Sequence, residues 1–345
     1  MSGSFQVMNP LPGATFGGLI ELGGGAPAVI AAAEAVPEAL PRALADAEGL
    51  LLLKGMQAIA DDPTLLVRLS RLFGPEVEDY RSNLTPLNQV HESVPEILVV
   101  SNIPPVSRMP PKLPDPPLTA DGKLPTRYPH RHGWHTDQSY RRPPPDISLF
   151  FGVIPVPKGQ GQTLFASGAL AYAALPAALK ARIEGLEGLH AKSRTGRSRE
   201  QVLAGEPVQP LRPHERSQRQ PVVRVHPVTG RPALYLCESG QMDWVEGPFV
   251  GMQPGPHGDG AALLDELMSH LTGPEFVYVH EWDPGDLLVW DNRCLVHAAT
   301  WFDAAREKRL MWRTTVSGNP GAIYAGERRS WIAEEDQQPT VAAEG

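Results

Sequence analysis

The sequence predicts a mostly β fold, a sandwich or jelly roll with helices packed on its outside, and three observations carry that reading. Strand-like apolar runs outnumber helical ones. They are joined by Gly/Pro/Asp turns such as Asp283-Pro284-Gly285-Asp286. They also fail to alternate regularly with helices, which argues against a doubly wound parallel sheet.

The strand-like runs cover residues 50–53, 97–100, 147–154, 221–225, 233–236, 276–282, 287–290 and 310–316, each rich in β-branched, leucine or aromatic residues. Helical periodicity marks 63–73, with Asp62 placed to cap it, and 167–186, with Ser167 as the N-cap. A third helix is expected across 261–271. Prolines, 37 in the chain, crowd into 104–129 and 207–221. Such stretches form neither regular helices nor central strands, so both read as long loops, the first as a lid.

Bulk properties remove several function classes. The formal net charge of −8 argues against nucleic acid or an anionic membrane as partner, although it allows a locally basic pocket. No run of eighteen apolar residues exists to span a bilayer. Residues 1–24 lack a basic segment followed by an apolar one, so no secretory signal is expected. Cys237 and Cys294 lie far apart without a CxxC pair, which suits a reducing cytoplasm and buried spectator thiols.

The chemistry concentrates in a few motifs. In Gly133-Trp134-His135-Thr136-Asp137, an extended backbone would present His135 and Asp137 on one face, because residues i and i+2 share a side. A third ligand has to come from elsewhere, and His297, after Asp291-Asn292-Arg293-Cys294-Leu295-Val296, is the best candidate. Two histidines and one carboxylate on one octahedral face leave three open positions, the arrangement of non-haem Fe(II) oxygenases. A lone HxD recurs by chance and carries no such claim by itself. His130 and His132 compete as ligands but read as loop or lid residues. His190, His214, His226, His257, His270 and His280 have no partner at metal-ligand spacing and read as structural or solvent-facing.

Arg309 and Arg313 stand at i and i+4 in a strand-like segment, facing one side about 13 Å apart at about 3.3 Å per residue. A guanidinium grips carboxylates and sulfonates in two-point contacts, so the pair could hold two different anions. Basic residues at strand ends usually only solvate them, and Arg306 and Lys308 read that way.

Taken together, Trp134-His135-Thr136-Asp137, Gly161-Gln162-Thr163-Leu164-Phe165-Ala166-Ser167, His226-Pro227-Val228-Thr229-Gly230, Trp290-Asp291-Asn292-Arg293, His297 and the Arg309/Arg313 pair resemble the taurine dioxygenase and 2,4-dichlorophenoxyacetate dioxygenase (TauD/TfdA) family, over residues 19–318. The resemblance implies a double-stranded β-helix (jelly-roll) core in one domain over 1–330, with 331–345 as a flexible tail and the insertion at 104–132 as a lid. It implies Fe(II) on His135, Asp137 and His297, and 2-oxoglutarate held at its distal carboxylate by Thr163 and Arg309. It places Arg313 where several members grip a substrate's sulfonate or carboxylate. Because Asp137 is present, halogenation is disfavoured, since related halogenases lack that carboxylate.

The expected reaction consumes O2 and 2-oxoglutarate, releases succinate and CO2, and hydroxylates a small anionic substrate. C–S or C–O cleavage follows where the hydroxylated carbon bears the heteroatom. The longer proline-rich stretch before HxD rebuilds the pocket mouth, so taurine itself is not expected. Many family members are dimers or tetramers, and homo-oligomeric assembly is expected on that ground alone. The residues leave two other classes open. One is a jelly-roll metalloenzyme acting as isomerase or hydrolase without 2-oxoglutarate, which would not need Arg309. The other is a non-catalytic binding relative.

Overall fold

Side-chain alternation along the strands decides how this chain layers, and the computed structural model shows it for residues 9–83, 85–112, 133–238 and 241–332. The strands in chain order are β1 (Asn9–Pro10), β2 (Gly18–Glu21), β3 (Leu50–Lys54), β4 (Glu76–Val77), β5 (Leu98–Ser101), β6 (Ile147–Ile154), β7 (Thr163–Ser167) and β8 (Glu187–His190). There follow β9 (Gln218–Pro221), β10 (Val223–Val225), β11 (Pro232–Leu234), β12 (Val277–His280), β13 (Leu287–Asp291), β14 (Leu295–Ala299) and β15 (Leu310–Ser317).

A large sheet runs β1-β2-β3-β13-β6-β15-β4, with β5 also paired to β15, and a smaller one runs β12-β7-β14. Of the large sheet's pairings only β2–β3 is parallel, and the helices Gly25–Ala35 and Ala39–Asp46 lie in that crossover. The short pairs β10-β11 and β8-β9 complete the described strands.

On β13, Leu287 and Val289 enter one buried cluster while Leu288 and Trp290 enter another. On β3, Leu51 and Leu53 part from Leu50 and Leu52 in the same way. The first cluster joins the large sheet's outer face to the helices 25–35, 39–46 and Thr64–Arg71. The second is shared with the small sheet through Phe165, Tyr278 and Leu295. Leu164, Ala166, Val296 and Ala298, of opposite parity, face the helix Asp259–Leu271 instead. The result is two sheets face to face with helices on both outer sides. At one end of the inner face stand His297 of β14, Thr163 of β7, Ser148 of β6 and Arg313 of β15.

Several expected bounds shift for local reasons. The helix expected over 167–186 is two, Gly168–Ala174 and Ala177–Ile183, because Pro176 cannot continue the first. Ser167 caps the former, its side chain accepting from the Leu170 N–H. Asp62 accepts from the N–H of Thr64, just inside the helix start. The run 221–225 splits between β9 and β10, 276–282 contracts to β12, 233–236 becomes the shorter β11, which starts one residue earlier, and 97–100 shifts by one residue to β5. The loop expected over 207–221 ends in a short 3-10 turn and β9. Of the lid only 104–112 is described; His130, His132 and most of the tail fall outside the described residues. Among the described residues no helix is long and apolar enough to cross a membrane.

Phe165 sits at the centre of the inter-sheet cluster, fully buried, 5.4 Å from the Trp290 ring and 6.0 Å from that of His297. Deleting a buried aromatic side chain leaves a cavity and costs about 3–5 kcal/mol. Phe165→Ala should therefore lower the urea midpoint by that equivalent with an unchanged m-value.

Candidate metal centre and anion pocket

The HxD segment is not a regular strand; it touches β14 through one bridge. His135 N–H donates to the His297 carbonyl at 2.9 Å and His297 N–H returns to the His135 carbonyl at 2.7 Å. This exchange sets the two imidazoles opposite each other, ring centroids 4.2 Å apart. Asp137, two residues on, reaches the same side. Its Oδ1 lies 3.9 Å from Nε2 of each histidine. All three ligand atoms lie within 4.8 Å of one another, a spacing compatible with one ion bound at about 2.1 Å to each.

Protonation also suits a metal. The His135 Nδ1 lies 2.6 Å from the Gly133 carbonyl, which can only accept, so Nδ1 carries the proton and Nε2 keeps its lone pair. Burial, then His135, lowers the His297 pKa to about 3, and burial likewise lowers His135, so both rings are neutral. Burial alone would raise Asp137. Arg313, the two histidines and the Ser148 hydroxyl outweigh it and hold the carboxyl well below the usual range. The Nδ1 of His297 is buried without a partner among the described residues.

Asn292 organises the remaining contacts. Its Oδ1 accepts from the Asp137 N–H at 3.1 Å and the Trp290 indole at 2.9 Å. Its Nδ2 donates to Ser148 Oγ at 2.9 Å, and Ser148 donates to Asp137 Oδ2 at 2.7 Å. Its carbonyl accepts from the Thr136 hydroxyl at 2.8 Å. The sequence had marked Trp290-Asp291-Asn292-Arg293 as a motif without giving Asn292 or Ser148 a role. No spacing rule links residues 137, 148 and 292.

A cavity of about 330 Å³ opens onto the two histidines and is also lined by Thr163, Arg309 and Arg313, so the two arginines do face one space. They do so across a register irregularity between Leu310 and Met311. Arg309 is buried over the rings of Phe150 and Phe302, with its Nε unpartnered. Burial, then the nearby Arg108, lowers its pKa to about 10. Thr163 Oγ1 accepts from the Trp282 indole at 3.0 Å, which orients its hydroxyl. Arg313 makes a 2.6 Å ion pair with Asp137 Oδ1, a contact the sequence did not foretell.

One expectation about the other histidines needs correction. His226 does come within 4.8 Å of Asp291 and Cys294. Both of its nitrogens are nevertheless used. Nε2 meets Asp291 Oδ2 at 2.9 Å, and Nδ1 accepts from the Val228 and Thr229 N–H groups. Arg293 engages both oxygens of Asp291, at 2.8 and 2.6 Å. The cluster is a buried polar network, in keeping with a structural role for His226.

Replacing Asn292 by Ala would strand the Trp290 indole and the Asp137 N–H while leaving all three candidate ligands in place. Support groups of this kind are worth roughly 10–100-fold in metal affinity. Asn292→Ala should weaken Mn(II) binding, followed by electron paramagnetic resonance, by that factor.

The geometry can be set beside known proteins. Residues 20–315 match the family described as "Taurine catabolism dioxygenase TauD, TfdA family". The (S)-phenoxypropionate/alpha-ketoglutarate-dioxygenase of Sphingobium herbicidovorans is 34% identical over 205 residues, 56% of this chain and 64% of that protein. The alpha-ketoglutarate-dependent 2,4-dichlorophenoxyacetate dioxygenase of Cupriavidus pinatubonensis is 35% identical over 190 residues, 53% of this chain and 59% of that one. The match thus spans less than two thirds of these curated relatives. Among solved structures, AAD-2 in complex with Mn(II) and N-oxalylglycine is 27% identical with a TM-score of 0.63, covering 90% of this chain and 97% of that one. A taurine dioxygenase from Burkholderia xenovorans is 25% identical with a TM-score of 0.62, covering 99% and 95%. The sheet-rich architecture with flanking helices is therefore shared with dioxygenases of this kind, and the chain belongs to the TauD/TfdA family.

Proposed function

We propose that this chain is an Fe(II)- and 2-oxoglutarate-dependent dioxygenase that hydroxylates a small anionic organic substrate, with release of succinate and CO2. The observation that carries the proposal is the His135–Asp137–His297 cluster, whose two histidines line one cavity with a buried Arg309 whose Nε has no partner among the described residues. His135, Asp137 and His297 would hold the iron. Fe(II) with bound 2-oxoglutarate and O2 supplies the oxidising chemistry, and C–S or C–O cleavage follows where the hydroxylated carbon carries sulfur or oxygen.

The protein's own part is placement. Arg309 offers a preformed guanidinium deep in an apolar wall of Phe150 and Phe302, and the Thr163 hydroxyl opens onto the same space. This suits a distal carboxylate better than a neutral group, because an unpaired buried cation is costly. Arg313, nearer the candidate ligands, is the proposed contact for the substrate's anionic group. Met109, Pro110 and Pro111 line the cavity mouth and support a lid over 104–132 that excludes water. The facing sheets support a double-stranded β-helix core in one domain over 1–330, followed by the tail 331–345. Two buried, unpaired cysteines fit a cytoplasmic setting. The relatives named for phenoxypropionate and 2,4-dichlorophenoxyacetate support an acidic substrate.

Anaerobic addition of Fe(II) and 2-oxoglutarate should produce a weak visible charge-transfer band, and its absence would sink the proposal. Losing one partner of a buried charge pair costs about 2–5 kcal/mol, and each 1.4 kcal/mol is tenfold. Arg309→Ala should therefore raise the 2-oxoglutarate concentration needed to develop the band by roughly 100-fold. A metal-dependent isomerase or hydrolase would show neither the band nor the sensitivity.

A further inference from the structure

Charge in the cavity is out of balance. Three arginines, Arg108, Arg309 and Arg313, line it with two histidines, and no carboxylate lines it among the described residues. The nearest acid, Asp137, is already committed to Arg313. A divalent metal and a dianionic co-substrate would cancel each other, so among the described residues the site carries a surplus of two positive charges. Arg309 is assigned to the co-substrate, and Arg313 is neutralised by Asp137. The guanidinium of Arg108 has no hydrogen-bond or ion-pair partner among the described residues.

Arg108 is nonetheless firmly placed. Its N–H donates to the Ser101 carbonyl at 2.8 Å, and the Ser101 hydroxyl donates to the Arg309 carbonyl at 2.8 Å. Asn102 Oδ1 accepts from the Arg309 N–H, again at 2.8 Å, closing the link between the two segments. Ser107, immediately before Arg108, has φ 46°, a left-handed conformation that L residues rarely adopt. The chain therefore holds an unusual backbone at the point where it turns Arg108 toward the cavity mouth. Arg108 is itself exposed, and Arg313 and Arg194 lie near enough to repel its charge. Arg194 is itself at φ 65°. Like charges gathered around an opening, without an acceptor among the described residues, fit an anion that has yet to bind.

Resting on the dioxygenase reading above, we propose that Arg108 is the specificity-determining residue that grips the acidic group of the substrate, a carboxylate or a sulfate ester, at the cavity mouth. Arg313, paired with Asp137, stays the inner contact for the same anionic group, and Arg108 meets that group from the mouth.

The test measures calorimetric binding of phenoxyacetate, hexyl sulfate and neutral phenoxyethanol to the Mn(II)-loaded protein saturated with 2-oxoglutarate. Arg108→Gln should weaken at least one of the two anions by tenfold or more. It should leave phenoxyethanol and 2-oxoglutarate within twofold of the parent protein. Arg108→Lys should recover part of the loss, because it restores charge without the fork. Unchanged anion affinity in Arg108→Gln, or no saturable binding of either anion by the parent protein, overturns the proposal. A fall in 2-oxoglutarate affinity instead would move Arg108 to the co-substrate and overturn it equally. Failure of the parent protein to bind 2-oxoglutarate at all would count against the dioxygenase reading. The anion comparison, repeated with Mn(II) alone, would still decide the role of Arg108.

Discussion

The pair of backbone hydrogen bonds between His135 and His297 is the constraint on which the site depends. Without it, the HxD segment is a loop leaving an undescribed stretch, with no reason to stop beside β14. With it, an i and i+2 pair is laid against a strand whose inward residue is the third donor. The exchange uses peptide groups rather than side chains, so it leaves both imidazoles free for an ion. Asn292 then fixes the segment from the other side, holding the Asp137 amide and the Thr136 hydroxyl. The candidate metal centre is therefore assembled by main-chain pairing and one amide, and the three donors do not have to hold one another.

The electrostatics follow from where that assembly sits. The space between two apolar sheet faces is a poor solvent for charge, so burial pushes every titratable group there toward its neutral form. The histidines yield and become better ligands. Asp137 does not, because Arg313 lies 2.6 Å away and Ser148 donates to its second oxygen. Arg309 remains a buried cation whose one hydrogen bond from its guanidinium among the described residues, to the Gly161 carbonyl, is a marginal 3.5 Å long. A protein of net charge −8 thus encloses a positive pocket, and the overall sign says little about the ligand.

How far this could be read from sequence depended on the range of the determining interaction. Strands such as Ile147–Ile154 and Leu287–Asp291 were legible because alternation is written in adjacent residues. The three candidate donors could be picked out because HxD is local, and because His297, chosen from its own segment, matched the family pattern. The helix Gly25–Ala35 passed unnoticed although Ala26, Val29, Ile30 and Ala33 repeat at helical spacing. Small residues give that stripe little contrast. Asn292, Ser148 and the Arg313–Asp137 pair were illegible for another reason. Each depends on residues over ten to nearly two hundred positions apart meeting at the HxD segment, and their residue types are equally at home in turns or on the surface.

These differences in range also divide the site by how easily it can change. The candidate iron ligands, Thr163 and Arg309 belong to strands, strand ends or a segment pinned to one, and their directions are set by pairing that also builds the core. Arg108, Met109, Pro110 and Pro111 come from a loop that touches the sheet through a few hydrogen bonds near Ser101 and Asn102. A substitution among the first group disturbs the inter-sheet core and the proposed chemistry together. One in the loop alters the shape and charge of the cavity mouth at little cost to folding. Under the proposed function, the oxidising centre is tied to the sheets and the choice of acid is left to this loop.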